Sequence, residues 1–195
     1  MAELRTDRRV RDYSLWLVLA FPAIWMVWRH LSHRPVDYVL VSGDLAAWML
    51  ILCLMVTPVM QLVGPSARVL RRHRRHLGVA AFLYTLFHLA LWLRTADWAE
   101  FIRTITHLRI GTGWLALLLM VPLALTSTDG MVRRLGLRWK QLQRLTYPAA
   151  ILTLVHWVLV TEALPMMVYS VLPLLALTLW RVTKPAKARK NVDSA

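Results

Sequence analysis

The chain has almost no cysteine. Cys53 is the only one in 195 residues and stands alone in an apolar run. No disulfide can close within the chain, and the Cys-x-x-Cys-His signature of a covalently attached heme is missing, so any heme must be held noncovalently. Glycine is scarce as well, at 7 residues. Gly111 and Gly113 head an apolar stretch instead of following a strand, so they lack the context of a nucleotide-binding loop. Acidic residues number 10 against 24 Lys and Arg. After the first apolar run there is no small-residue cleavage site; Arg29 and His30 follow instead. That run is expected to remain as an uncleaved anchor helix. No repeat or low-complexity segment is present.

What the chain does have is apolar length. Hydrophobic residues make up 58% of it, and the mean hydropathy is +0.50. Both values exceed those of an ordinary soluble domain. The net charge of +14 would suggest nucleic acid in a soluble protein. Here the basic residues lie between apolar runs, which marks them as topology signals and headgroup contacts. Six spans are expected, at residues 13–28, 45–63, 77–93, 110–127, 145–161 and 163–180. Each has 16 to 19 residues, near the lower end of the length that crosses hydrocarbon, and only helix satisfies the backbone there. Pro22, Pro122, Pro165 and Pro173 are expected to kink or start helices without abolishing them. Because one or two residues join the last two spans, these should form an antiparallel hairpin. Residues 1–182 form one transmembrane domain on this reading, and 183–195 a disordered basic tail.

Orientation follows from the basic residues. Nineteen of the 24 fall in four segments: Arg5 to Arg11, the loop Arg68 to Arg75, the loop Arg133 to Arg144, and the tail from Arg181 to Lys190. Only Arg29, Arg34, Arg94, Arg103 and Arg109 lie on the other side. The expected fold is therefore an all-α polytopic membrane bundle of six transmembrane helices, both termini cytoplasmic.

This topology sets the depth of two histidines. His88 and His156 lie near the outer ends of the third and fifth spans. At about 1.5 Å per residue they reach nearly the same level. An ionisable side chain inside hydrocarbon is costly and is read as functional, with a partner. Each shares a helix face with small residues: Gly78, Ala81 and Thr85 below His88, and Ala149 and Thr153 below His156. A flat macrocycle between helices needs such neighbours, so the pair is expected to supply both axial ligands of one heme. The plain alternatives are that small faces serve helix packing and that each His hydrogen-bonds a neighbouring helix.

The remaining histidines are weaker. His73 and His76 lie in the basic loop, His30 and His33 in an outer loop, and His107 just before the fourth span. One of Arg94, Arg103 and Arg109 is expected to meet a heme propionate, since guanidinium pairs well with carboxylates; Arg109 is the candidate among them. Trp16, Trp28, Trp92, Trp98, Trp114, Trp139 and Trp180 lie near span ends, as an interfacial belt does. Trp92 and Trp157 are near the two histidines and are candidates for the pocket wall, with core packing the plainer role.

The segments SGDLAAWMLILCLMVTP (Ser42–Pro58), RRHLGVAAFLYTLFH (Arg74–His88), PLALTST (Pro122–Thr128) and LGLRWKQLQRLTYPAAILTLVH (Leu135–His156) together resemble one known family. It is the heme-binding membrane subunit of the bacterial periplasmic methionine-sulfoxide reductase system, the MsrQ or YedZ family, within the ferric-reductase-like transmembrane superfamily. The resemblance covers roughly Ser42 to Val160. It places the family's heme histidines on His88 and His156. Gln143 stands where the family has a histidine, and in the wider superfamily that position helps bind a second, inner heme; one heme is expected here. HLRIGTG before the fourth span also departs from the family's usual R-P-Y pattern.

The resemblance implies electron transfer in the bacterial inner membrane. Electrons would come from the quinol pool or a flavin donor, with FMN or quinone as further cofactors. They would pass through a noncovalent b heme to a periplasmic molybdenum-containing subunit that reduces oxidised methionines. The candidate site residues are His88 and His156 as iron ligands, with Thr85, Ala81, Thr153, Trp92 and Arg109 around them. No separate substrate-reducing site is evident. The rival readings are a self-sufficient reductase of ferric chelates or another small acceptor, and a scaffold or transporter without a cofactor.

Overall fold

A computed structural model describes residues 2–33, 36–64, 68–161 and 164–183, and every regular element in them is helical. The order is α1 (Ala2–Leu31), α2 (Tyr38–Val63), α3 (Arg68–Thr95), α4 (Trp98–Thr104), α5 (Leu108–Leu125), α6 (Asp129–Leu135), α7 (Leu137–Leu142), a single 3-10 turn (Gln143–Leu145), α8 (Thr146–Thr161) and α9 (Leu164–Thr183). Five helical stretches are long and apolar enough to cross a membrane: Tyr13–Leu31, Tyr38–Val63, His73–Thr95, Leu108–Leu125 and Leu137–Thr161. Val168–Trp180 is a shorter apolar helix. The tail after Thr183 and the junction between α8 and α9 lie outside the described residues.

Local chemistry sets the helix ends. Asp37 caps α2, its carboxylate accepting from the Leu40 amide at 2.9 Å, and this starts the helix seven residues before the expected Leu45. Capping by Asp satisfies a backbone donor that is otherwise orphaned. Gly64 ends α2 at φ +82°, a backbone region open to glycine at no steric cost. Asp97 caps α4 through the Ala99 amide at 3.0 Å. At the far end of α5, the Thr126 and Ser127 hydroxyls bond the Pro122 and Leu123 carbonyls.

The basic burst from Arg68 to Arg75 was expected as a loop. It forms the first two turns of α3. Arg, Leu and Val carry no helix-breaking chemistry, and after Pro65 nothing interrupts the ladder. His73 and His76 are therefore helical, and the His76 ring meets Trp16 of α1 edge-on at 5.5 Å. Pro22, Pro58, Pro122 and Pro173 sit inside helices, as bilayer helices tolerate.

The bundle is built on two close pairs, α2 with α3 and α5 with α8. They meet in a core of Leu50, Ala81, Met120, Ala149 and Ala150. Ala81 and Ala149 are both 0% exposed, so the backbones approach closely where the side chains are smallest. A second cluster joins Ala47 and Ile51 of α2 to Trp157 of α8. The expected hairpin of the last two helices is not the main contact of α9, which rests chiefly on α2. Large apolar side chains such as Phe21, Leu118, Ile151 and Leu179 face outward, as on a surface meant for lipid.

A polar tie links α1 to α3. The Tyr84 hydroxyl donates to the Leu19 carbonyl at 2.8 Å and accepts from the Ala23 amide at 3.2 Å. These two groups pair with each other in an unbroken helix. Pro22 next to them disturbs that ladder, and Tyr84, itself buried, supplies the repair. Tyr84→Phe should cost about 1–2 kcal/mol by leaving this pair short of a partner, read as a lower unfolding midpoint in detergent.

Candidate functional site

One cavity of about 670 Å³ opens at one end of the bundle. Its wall comes from the first turns of α2, the last turns of α3, α4, the first turns of α5 and the last turns of α8. His88 and His156 face each other across it, with ring centroids 6.5 Å apart and planes at 74°.

Each ring is held at Nδ1. His88 Nδ1 lies 2.9 Å from the Val39 carbonyl and 3.3 Å from the Ser42 hydroxyl. His156 Nδ1 lies 2.7 Å from the Arg109 carbonyl. A carbonyl only accepts, so each Nδ1 must carry the proton, and each Nε2 is left with its lone pair. This is how a metal-binding imidazole is oriented. Arg109 also donates from its guanidinium to the Val160 carbonyl at 3.0 Å, so residue 109 ties the head of α5 to the end of α8 twice.

Two glycines let the rings come this close. A Cβ on Gly43 would lie 3.1 Å from the His88 ring, and one on Gly113 would lie 2.9 Å from the His156 ring. Real Cβ atoms essentially never approach as near as the second. Each histidine therefore rests close against bare backbone of a neighbouring helix, α2 for His88 and α5 for His156.

The spacing can be tested against a shared metal. Two imidazoles on opposite sides of one ion, bonded at about 2.0 Å, put their ring centres about 6 Å apart. The observed 6.5 Å fits that arrangement. Among the described residues no group of three or more His, Cys, Asp or Glu is placed to hold a bare ion. The two imidazoles would serve an ion whose other ligands come with it, and the cavity has the size of a cofactor site.

Of the residues singled out in the sequence, Thr85, Trp92, Arg109, Thr153, Trp157 and His107 all line the cavity with the two histidines. Arg94 and Arg103 are not part of its wall, so Arg109 is the arginine brought to the site. Ala81 is not brought there: it is packed in the core against Leu50 and Ala149. It shares a helix face with His88 but lies seven residues earlier, about 10 Å down the axis. The Thr85 and Thr153 hydroxyls bond the carbonyls of Ala81 and Ala149 on their own helices, so neither adds an unsatisfied polar group to the wall. Gln143 lies in the 3-10 turn below α8, away from the cavity.

Sequence reasoning missed Gly43, Gly113, the carbonyls of Val39 and Arg109, and Asp44. Asp44 also lines the cavity and accepts a hydrogen bond from the Trp157 indole at 2.7 Å. A signal for Asp44 was present, as the only charged residue in the 26 residues of α2.

Fold and site together define a class: a helical membrane bundle that presents two oriented imidazoles to one cofactor-sized cavity. Residues 42–154 match the family described as ferric reductase like transmembrane component. The chain is 34% identical to the protein-methionine-sulfoxide reductase heme-binding subunit MsrQ of Brucella anthropi, over 95% of this chain and 89% of that one. The proteins of the same name from Brucella ovis and Brucella canis are also 34% identical, over 91% of this chain and 85% of theirs. No solved structure matches the chain. The chain belongs to the MsrQ family of ferric-reductase-like transmembrane proteins, and is a multi-pass membrane protein of the electron-transfer kind.

Proposed function

We propose that this chain is a membrane b-type cytochrome that binds one noncovalent heme between His88 and His156. The observation that carries this reading is the pair of facing rings, 6.5 Å apart, each fixed by a carbonyl on its Nδ1. The relatives' name, which says that they bind heme, supports it independently. When bound, heme supplies a one-electron centre. The residues do the rest. His88 and His156 would hold its iron, and a centre held by two imidazoles would exchange electrons instead of binding substrate. The carbonyls of Val39 and Arg109 hold the ligand tautomer. Arg109 and His107 also line the wall, and the heme's propionates would pair with the Arg109 guanidinium.

Six crossings with both termini in the cytoplasm of a bacterial inner membrane put the cavity under the outer leaflet. The excess of Lys and Arg on the opposite side supports that orientation. From there the site serves a periplasmic acceptor, a molybdenum-containing subunit that reduces methionine sulfoxide in proteins. A quinol or flavin on the inner side is the electron source. Gln143, a poor iron ligand in place of histidine, supports a single heme.

The test is the absorption and paramagnetic-resonance spectrum of the purified protein with its heme stoichiometry. One low-spin bis-imidazole heme per chain is expected. A colourless preparation from cells supplied with porphyrin precursor would end the reading. Reduction of ferric chelates by the purified protein alone, at rates matching those with a partner subunit, would favour a self-sufficient reductase instead.

A further inference from the structure

Asp44 has no part in holding the two rings, yet it stands on the same cavity wall. It is the only charged side chain in α2. A carboxylate in such a helix is costly and is kept where it acts. Its Oδ1 accepts the Trp157 indole N–H at 2.7 Å. Trp157 is buried and directly follows His156, while Gly43, directly before Asp44, lies close against the His88 ring. One hydrogen bond thus joins the α2 wall behind His88 to the α8 segment that carries His156. The Trp157 ring is further braced edge-on by Trp48 at 6.4 Å.

A tie between helices needs only a neutral acceptor, and Asn would provide it. The choice of a carboxylate points to its charge. We propose that the negative charge of Asp44 on the cavity wall sets the heme potential low. This rests on the heme reading above. A negative charge in a low-dielectric wall favours the ferric over the ferrous state, which carries one positive charge fewer. The consequence is a centre that gives up its electron readily to an external acceptor.

The test is a spectroscopic redox titration of the full-length protein in detergent, comparing wild type with Asp44→Asn and Asp44→Glu. Asp44→Asn should keep the low-spin spectrum and raise the ferrous-to-ferric ratio about tenfold at a fixed applied potential, an upward shift of about 59 mV for one electron. Asp44→Glu, which keeps the charge, should stay close to wild type. A low-spin Asp44→Asn protein with the wild-type potential would overturn the inference and leave the heme reading standing. Wild-type protein that takes up no heme would overturn both. Should Asp44→Asn fail to load, Trp157→Phe decides. It leaves the carboxylate without its N–H donor and should shift the potential, and an unchanged potential there overturns the proposal.

Discussion

His88→Ala is expected to strip the chain of its heme. Removing an outer partner of a metal-bound histidine typically costs roughly 10–100-fold in affinity, so removing the ligand itself should exceed about 100-fold. Protein purified from heme-replete cells should lose its low-spin spectrum, and what heme remains should be five-coordinate. His156→Ala should behave alike, because the two rings face each other as equals across the cavity. His73→Ala and His76→Ala serve as controls. Both lie in the early turns of α3, off the cavity wall, and should retain full heme. A wild-type spectrum in His88→Ala would remove the ligand assignment; loss of heme in all four variants would point to general instability instead.

The second large effect comes from a residue with no side chain. Gly113→Ala would put a methyl 2.9 Å from the His156 ring and 3.0 Å from its Nδ1. The contact is with a ring already fixed by the Arg109 carbonyl, so one of the two must give. Overpacking of this kind costs about 1–3 kcal/mol, and the ring that moves is the proposed ligand. Heme affinity should fall about tenfold or more, with a shift from low-spin toward high-spin iron. Gly111→Ala, two residues earlier, is the contrast. Its nearest neighbour would be the Ile105 carbonyl at 3.8 Å, an ordinary contact, and alanine favours helix over glycine by about 1 kcal/mol. It should be neutral or slightly stabilising. Equal effects from the two substitutions would show that backbone flexibility, not ring clearance, is what glycine supplies there.

The helices and the paired histidines were legible in the sequence because both leave long-range signals. Apolar length marks a span wherever it packs, and a basic excess marks a side. A histidine inside hydrocarbon stands out against any background, and equal depth on two spans follows from topology alone. What surrounds the rings leaves no such mark. Gly43 and Gly113 look like the small residues that membrane helices use everywhere, and only the fold shows which ring each one faces. The carbonyls of Val39 and Arg109 exist at every residue, so no residue type announces them. Ala81 misled because helix periodicity gives a face but not a depth on that face. The short junction before α9 suggested a hairpin, while α9 packs chiefly on α2.

Tyr84 carries a consequence for how the molecule comes together. α1 touches the rest of the bundle thinly, and its polar anchor sits more than sixty residues downstream. Chains emerge amino end first, so α1 leaves the ribosome with nothing yet made to grip it. The segment synthesised earliest gains this tie only once α3 has followed it, and the matched family region, which starts at Ser42, leaves α1 out altogether. α1 is an outrigger, lashed on after the hull is laid.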